Sequence, residues 1–397
     1  MHIAPDIAAD SPFLESLRRD VHAHPELGFE EYRTSDIVAQ VLDDAAIVVH
    51  RGLGGTGVVG TLRVGTGTRT IGLRADMDAL AMSESADRPH RSVVPGRMHA
   101  CGHDGHTVML LGAARHLAKT RNFSGTVHFI FQPAEEGRGG ARRMIEDGLF
   151  RLFPCDAVYG LHNMPGLDPD EMAVVEGPQL ASSDSWHVTF RGVGTHGAKP
   201  HLGRDSVTAA GSFISALQTI PGRVVDPLQH SVVSACWVSA GDRHALNVIP
   251  DIVEIGGTAR AFSPQVRDLL EQEIGRLAHG IAMTFGISAD YHFERRIPPM
   301  VNDADVTSRA RRSAEAVFGN KIRTVFPAST AGDDFAFFSE HAPACYVWLG
   351  NGPATDGALH HNSNYDFNDG AIASGVAFWS TLTEHELSAD GAAVASR

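Results

Sequence analysis

The sequence predicts an α/β fold: a discontinuous domain with helices on both faces of a mixed sheet, interrupted by an inserted α+β (ferredoxin-like) domain. Three observations predict it. Across residues 1–181, short β-branched runs flanked by glycine alternate with stretches of helical apolar spacing. The strand-like runs of that half end in acids, amides or histidines, and one edge of an open α/β sheet is where sites collect. From residue 182 to residue 294 the order becomes strand–helix–strand–strand–helix–strand, and residues 295–397 return to strand–helix alternation.

In chain order, Ser11–Val21 and Thr34–Leu42 show helical spacing, each opened by a Ser or Thr cap candidate. Between them His22–Glu31 is a polar turn broken by Pro25 and Gly28, for which a plain surface loop is one of the readings. Val58–Val64 and Thr70–Ala75 are strands, the second running into Asp76 and Asp78. Next comes the densest chemistry in the chain, Met98–His106, with Cys101, His99, His103, Asp104 and His106. Neutral His and Cys cost free energy when buried without partners, but thiolate and imidazole suit a divalent metal. A structural zinc knot or a histidine-rich loop would have the same local spacing. Asp104 opens the apolar-periodic segment Thr107–Leu117 and reads as its N-cap, which sets Cys101 and His103 just ahead of a helix whose dipole favours a thiolate.

The strand Thr126–Phe131 leads into Gln132-Pro133-Ala134-Glu135-Glu136-Gly137. Successive side chains of an extended segment alternate, so Glu135 and Glu136 cannot face the same way. Ala157–Leu161 ends in His162 and Asn163. Within the insert, strands are expected at Trp186–Val193, Ser231–Val238, Ile252–Phe262 and Ile287–Phe293, and helices at Ser206–Leu217 and Pro264–Phe285. The loop Gly192–His201 is rich in Gly and His. After the insert come a helix near Asp303–Phe318, Asp333-Asp334-Phe335, a strand Cys345–Leu349 and the polar run His360–Asp369; the tail from Ser388 reads as loose.

Composition narrows the function. The 397 residues suit two domains, and a hydrophobic share of 43% supports real cores. The absence of a long apolar run or a signal-peptide pattern predicts a soluble, cytoplasmic protein. A formal net charge of −14 with no basic block argues against nucleic acid or an anionic membrane as partner. The 4 cysteines lie far apart, which speaks against a disulfide framework, and 22 histidines point to metal chemistry.

The motifs MHACGHDGH, LRADMDAL, FQPAEEG, GLHNMP, GTHGAKPH, NVIPD and HHNSNYDFND, in this order, resemble those of the aminoacylase and carboxypeptidase metallohydrolases. The nearest branch holds hippurate hydrolases and the hydrolases of auxin–amino acid conjugates. The resemblance runs from about His22 to Asp369. It implies a catalytic domain with two divalent ions (Zn, Mn, Ni or Co) and an inserted lid that forms a homodimer. It also implies hydrolysis of the amide bond of small N-acyl-L-amino acids. Carried over by motif, Cys101, His103, Glu136, His162 and His361 would be metal ligands and Glu135 the general base for an activated water. Asp76 and Asp78 would orient ligand imidazoles. In the lid, His196 would donate to the oxyanion across the dimer, and Asn247 and Arg260 would hold the substrate. His99, His106, His201 and His360 read as supporting residues. Departures from the family pattern at His90, Asp333, Asp168 and Asp170 bear on specificity. A dipeptidase or carboxypeptidase of the same fold, or a metal-dependent binder without turnover, are the competing readings.

Overall fold

A strand buried along its whole length needs neighbours on both sides and layers on both faces. Gly125–Gln132 and Ala344–Gly350 are such strands, and Thr70–Asp76 and Ala157–Met164 are nearly so. The computed structural model describes residues 2–355 and 359–388, so the loose tail expected from Ser388 lies, past that residue, outside them. The chain forms two compact units: Met1–Gly177 with Asn302–Pro327 and Asp333–Arg397, and Pro178–Val301 with Ala328–Gly332.

In the first unit these four strands run parallel at the centre of an eight-stranded sheet. From one edge the order is Val48–Leu53, Gly57–Val64, Gly125–Gln132, Thr70–Asp76, Ala157–Met164, Ala344–Gly350, Met172–Ala173 and Ile322–Arg323. The first two strands are antiparallel, which makes the sheet mixed. Alternate side chains, among them Ile71, Leu73, Val127, Phe129 and Tyr159, enter one core. The helices Pro5–Ala23, Tyr32–Asp44, His103–Thr120, Ala304–Phe318 and Ile372–Glu386 supply Leu14, Leu42, Leu111, Ala310 and Trp379 to it. On the other face the short helix Gly140–Glu146 and the 3₁₀ segment Asp334–Glu340 pack together, with Phe335 against Tyr346 at 5.7 Å and Arg74 at 5.8 Å from the Phe335 ring. Helices therefore cover both faces, as expected.

The second unit is built on an antiparallel sheet ordered Ser231–Ala240, Ile252–Ala261, Ser183–Arg191, Ser288–Ile297. The helices Ser206–Leu217 and Pro264–Phe285 share one core with Trp186, Phe190 and Ile255. Both helices start on side-chain caps, Asp205 and Ser263. A buried ion pair, Arg267 to Asp184 at 2.6 Å, ties the long helix to the sheet.

Several local expectations are corrected. Ser11 caps nothing; it lies inside a helix that begins at Pro5 and donates to the Ile7 carbonyl. Thr34 is not a cap either, because the Glu26 carboxylate accepts from the Arg33 and Thr34 amides and closes that helix start. The His22–Glu31 run is no surface loop at its ends, since His22 and Glu31 are fully buried. Asp104 is not an N-cap: Gly102, at φ 94°, precedes the helix and His103 is its first residue. Asp104 instead points inward to His22 and Arg18.

Candidate metal and active site

Three parallel strands end at the same edge, so the residues at or just after their C-termini converge: Asp76, the Glu135–Glu136 loop and His162. The helix start at His103 reaches the same place. The donor atoms of Cys101, His103 and His162 lie within 4.8 Å of one another, and so do those of Cys101, Glu136 and His361. Cys101 is common to both groups. The Cys101 sulfur is 3.5 Å from His162 Nε2, and the His361 Nε2 is 3.3 Å from a Glu136 oxygen.

Hydrogen bonds set which way each ring presents its lone pair. His162 Nδ1 donates to the Asn163 carbonyl at 2.7 Å, which leaves Nε2 bare toward Cys101. Burial, with His106 and His360 nearby, holds His162 well below its ordinary pKa and therefore neutral. His103 Nδ1 faces Asp78 at 3.3 Å and its Nε2 is buried without a hydrogen-bond partner, while Glu136 Oε1 has the His361 Nε2 at 3.3 Å and the His103 Nε2 at 4.0 Å. Buried polar atoms without partners are rare. The His103 Nε2, set in a cluster of thiol, imidazole and carboxylate, fits a divalent cation.

The charges agree. Burial opposes a charge on His103, yet Asp76 and Cys101 outweigh it and push the ring well above its usual value. Hydrogen bonds with Cys101 and Glu136 push His361 up to about 10. The pocket is thus arranged around positive charge. Among the chain's own groups, burial and Glu136 push the Cys101 thiol above its ordinary value. A bound cation would favour the thiolate here.

Glu135 is buried beside Asp333 and Asp334, its carboxylate within 4.8 Å of theirs. Burial, then Asp333, Glu136 and Asp334, raise it well above the usual carboxylate range. Arg74, buried beneath, bonds Asp76 at 2.7 Å and Asp333 at 3.0 Å, and Tyr346 donates to Asp333 at 2.7 Å. The Asp333 departure is therefore enclosed by its own chain.

His106 has no free nitrogen. Its Nδ1 donates to Asp76 at 2.6 Å and its Nε2 accepts from the Asn163 amide at 3.0 Å. Of the two aspartates, Asp78 faces the ring of His103 and Asp76 chiefly that of His106. Asn163, which sequence reasoning passed over inside GLHNMP, is the hub: its side chain donates to the Cys101 carbonyl and accepts from Tyr365, with His360 at 3.0 Å. A side chain at Gly102 would collide with Asn163 and Tyr365, which with its positive φ makes that glycine obligatory. His90 pairs with Asp366 and Asp170 with Lys321.

His196, Asn247 and Arg260 belong to the second unit. His196 pairs in a two-stranded ladder with Val248, and Gly197 donates to the Asn247 carbonyl, so these two residues are neighbours. His196 Nδ1 accepts from the Ala198 amide at 3.0 Å, which puts the ring proton on Nε2. Arg260 bonds the carbonyls of Ala259 and Asp184.

Residues 72–385 match the family described as Peptidase family M20/M25/M40. A hippurate hydrolase of Campylobacter jejuni is 40% identical over 383 residues, which cover 96% of this chain and 98% of that protein. An N-acetylcysteine deacetylase of Bacillus subtilis is 37% identical, covering 86% and 90%, and an IAA-amino acid hydrolase of Arabidopsis thaliana 36%, covering 94% and 86%. Among solved structures, a dinuclear metal-binding peptidase of the M20 family from Bacillus subtilis superposes with a TM-score of 0.84 at 33% identity, covering 96% of this chain and 99% of that one.

Proposed function

The chain belongs to the M20/M25/M40 peptidase family and is a metal-dependent amidohydrolase of linear amides, and we propose that it releases amino acids from N-acyl-L-amino acids. The observation that carries this reading is the pair of donor groups joined at Cys101 with Glu135 beside them. Cys101, His103, Glu136, His162 and His361 would hold two divalent ions, of Zn, Mn, Ni or Co type. Such ions, when bound, acidify water and polarise a carbonyl.

The chain's own residues do the rest. Glu135, with its affinity for protons raised by burial and by neighbouring acids, takes the proton of the attacking water on its carboxylate and delivers it to the leaving amine. Asp78 orients the His103 ring, and Asp76 does so for His106. His196, with its Nε2–H as donor, stabilises the oxyanion from a partner subunit, while Asn247 and Arg260 hold the substrate. The second unit serves as lid and homodimer contact in this reading. No helix of the described residues is long and apolar enough to cross a membrane.

The names of the relatives support N-acyl amino acids as the substrate class. Metal-loaded protein should release amine from hippurate and N-acetyl amino acids faster than from dipeptides. A preference for dipeptides would make it a peptidase, and no release from any of them would make it a binder.

A further inference from the structure

The run His22–Glu31 ends in a buried side chain that the proposed chemistry does not use. Glu31 is fully buried. Its Oε1 accepts the Ala134 amide at 2.8 Å and its Oε2 accepts the Thr56 hydroxyl at 2.6 Å. Ala134 lies at φ 56°, in the left-handed region that alanine avoids, and Glu135 and Glu136 follow it directly.

That conformation has a consequence for the two glutamates. In a continued strand they would simply alternate across the sheet. With a left-handed residue ahead of them, Glu135 comes beside Asp333 and Asp334, and Glu136 beside Cys101 and His361. The rest of the loop is held separately. Glu136 N donates to Asp78 at 2.9 Å, and Ala141 N to Asp334 at 2.9 Å. Gly28 closes on Ala134 so tightly that a side chain there would come within 2.9 Å of its Cα. A left-handed alanine persists only where its surroundings over-determine it, and the Ala134 N–H, buried, needs an acceptor.

We propose that Glu31 is a positioning residue for Glu135: by accepting the Ala134 amide it keeps that residue left-handed and the two adjacent glutamates apart. The inference rests on Glu135 being the base.

The test compares Glu31 variants of the metal-loaded enzyme. Glu31→Met keeps the volume and removes the acceptor; Glu31→Gln keeps an acceptor oxygen. A base displaced by about 1 Å costs on the order of 10²-fold in kcat, so Glu31→Met should fall by that much with KM within a few-fold. Glu31→Gln should stay close to the parent, and adding Ala134→Gly to Glu31→Met should recover much of the loss, because glycine adopts positive φ freely. Hydrogen exchange of the peptide spanning Ala134 should quicken in Glu31→Met and not in Glu31→Gln. Should Glu31→Met fail to fold, Glu31→Asp withdraws the carboxylate by one methylene and should show the same loss. Unchanged kcat and exchange in the Met or Asp variant would overturn the proposal, and so would a loss that neither Gln nor Ala134→Gly relieves. If Glu135→Gln keeps its rate while exchange at Ala134 responds as stated, the base assignment fails and the holding of Ala134 by Glu31 stands.

Discussion

The two units treat their polar residues in opposite ways. In the first, His103, His162, His106 and Glu135 at the sheet edge are buried, Cys101 and Glu136 are half-buried and His361 is exposed, and three rings are turned by bonds to their own chain: His162 by the Asn163 carbonyl, His103 by Asp78, His106 by Asp76. In the second, His196 and Asn247 are exposed, and the His196 ring is steered by one backbone amide. The first pattern is pre-organisation, in which the ordering of the donors is already complete before a ligand arrives. The second leaves side chains ready to meet something outside their unit. A residue's contribution should then be lost with its metal in one unit and without it in the other.

The largest effect should come from Cys101→Ala. Cys101 is common to both donor groups, so its loss should lower bound metal and abolish activity. Elemental analysis finding the parent metal content would remove Cys101 from the ligand set. Next come the neighbouring glutamates. Glu135→Gln should keep the fold and most of the metal while losing ~10²–10⁴-fold in rate. Glu136→Gln should lose metal as well, and the reverse behaviour would exchange the two assignments.

His196→Ala probes the other side of the comparison. A donor aimed at a developing oxyanion contributes ~3–4 kcal/mol, so the rate should fall by about 10²–10³-fold with the metals untouched. Mixed dimers of Glu135→Gln and His196→Ala, each inactive alone, decide whether the donor acts across subunits. The subunit with intact Glu135 would receive His196 from its partner and one site would work again. Verified mixed dimers without recovered activity would confine His196 to its own subunit.

How much of this was legible follows the same division. Periodicity found the helix Pro264–Phe285 to the residue, because a long amphipathic stretch between Ser263 and Gly286 carries its own boundaries. It missed the strand Val48–Leu53, an edge strand with little buried surface to leave an alternating mark. The five candidate donors came from the resemblance of whole motifs to a known family, and the structure groups Cys101 with His103 and His162 and with Glu136 and His361. That resemblance did not single out Arg74, Asn163 or Glu31. Those act through partners distant in sequence, Arg74 with Asp333 and Glu31 with Ala134, and nothing local distinguishes a buried charge with a remote partner from a solvated one. Asp104 shows the reverse error: a residue type suited to capping was assigned by local rule, while a long-range pairing with His22 and Arg18 won.

That pairing yields the smallest expected effect and a pH signature for the first unit. His22 Nδ1 lies 2.8 Å from Asp104, the neighbour of His103, and Nε2 lies 3.5 Å from Glu84. Burial works against the charged ring, but the hydrogen bonds to Asp104 and Glu84 outweigh it and raise His22 to about 9. An imidazole in an unfolded chain titrates near ~6.5. Below that pH both states carry the proton, and the pairing with the two acids contributes in full. As pH rises from there toward about 9, the unfolded chain has lost its proton while the folded chain keeps it, so stability falls by at most ~1.4 kcal/mol per pH unit. Above the folded-state value the contribution is gone. His22→Gln removes the titrating ring and keeps a polar side chain of similar reach. Urea unfolding of metal-stripped protein across that window should therefore find the gap between parent and variant narrowing as pH rises. A gap that stays constant with pH would mean that His22 is neutral in the folded chain and that Asp104 relies on Arg18 for its charge partner.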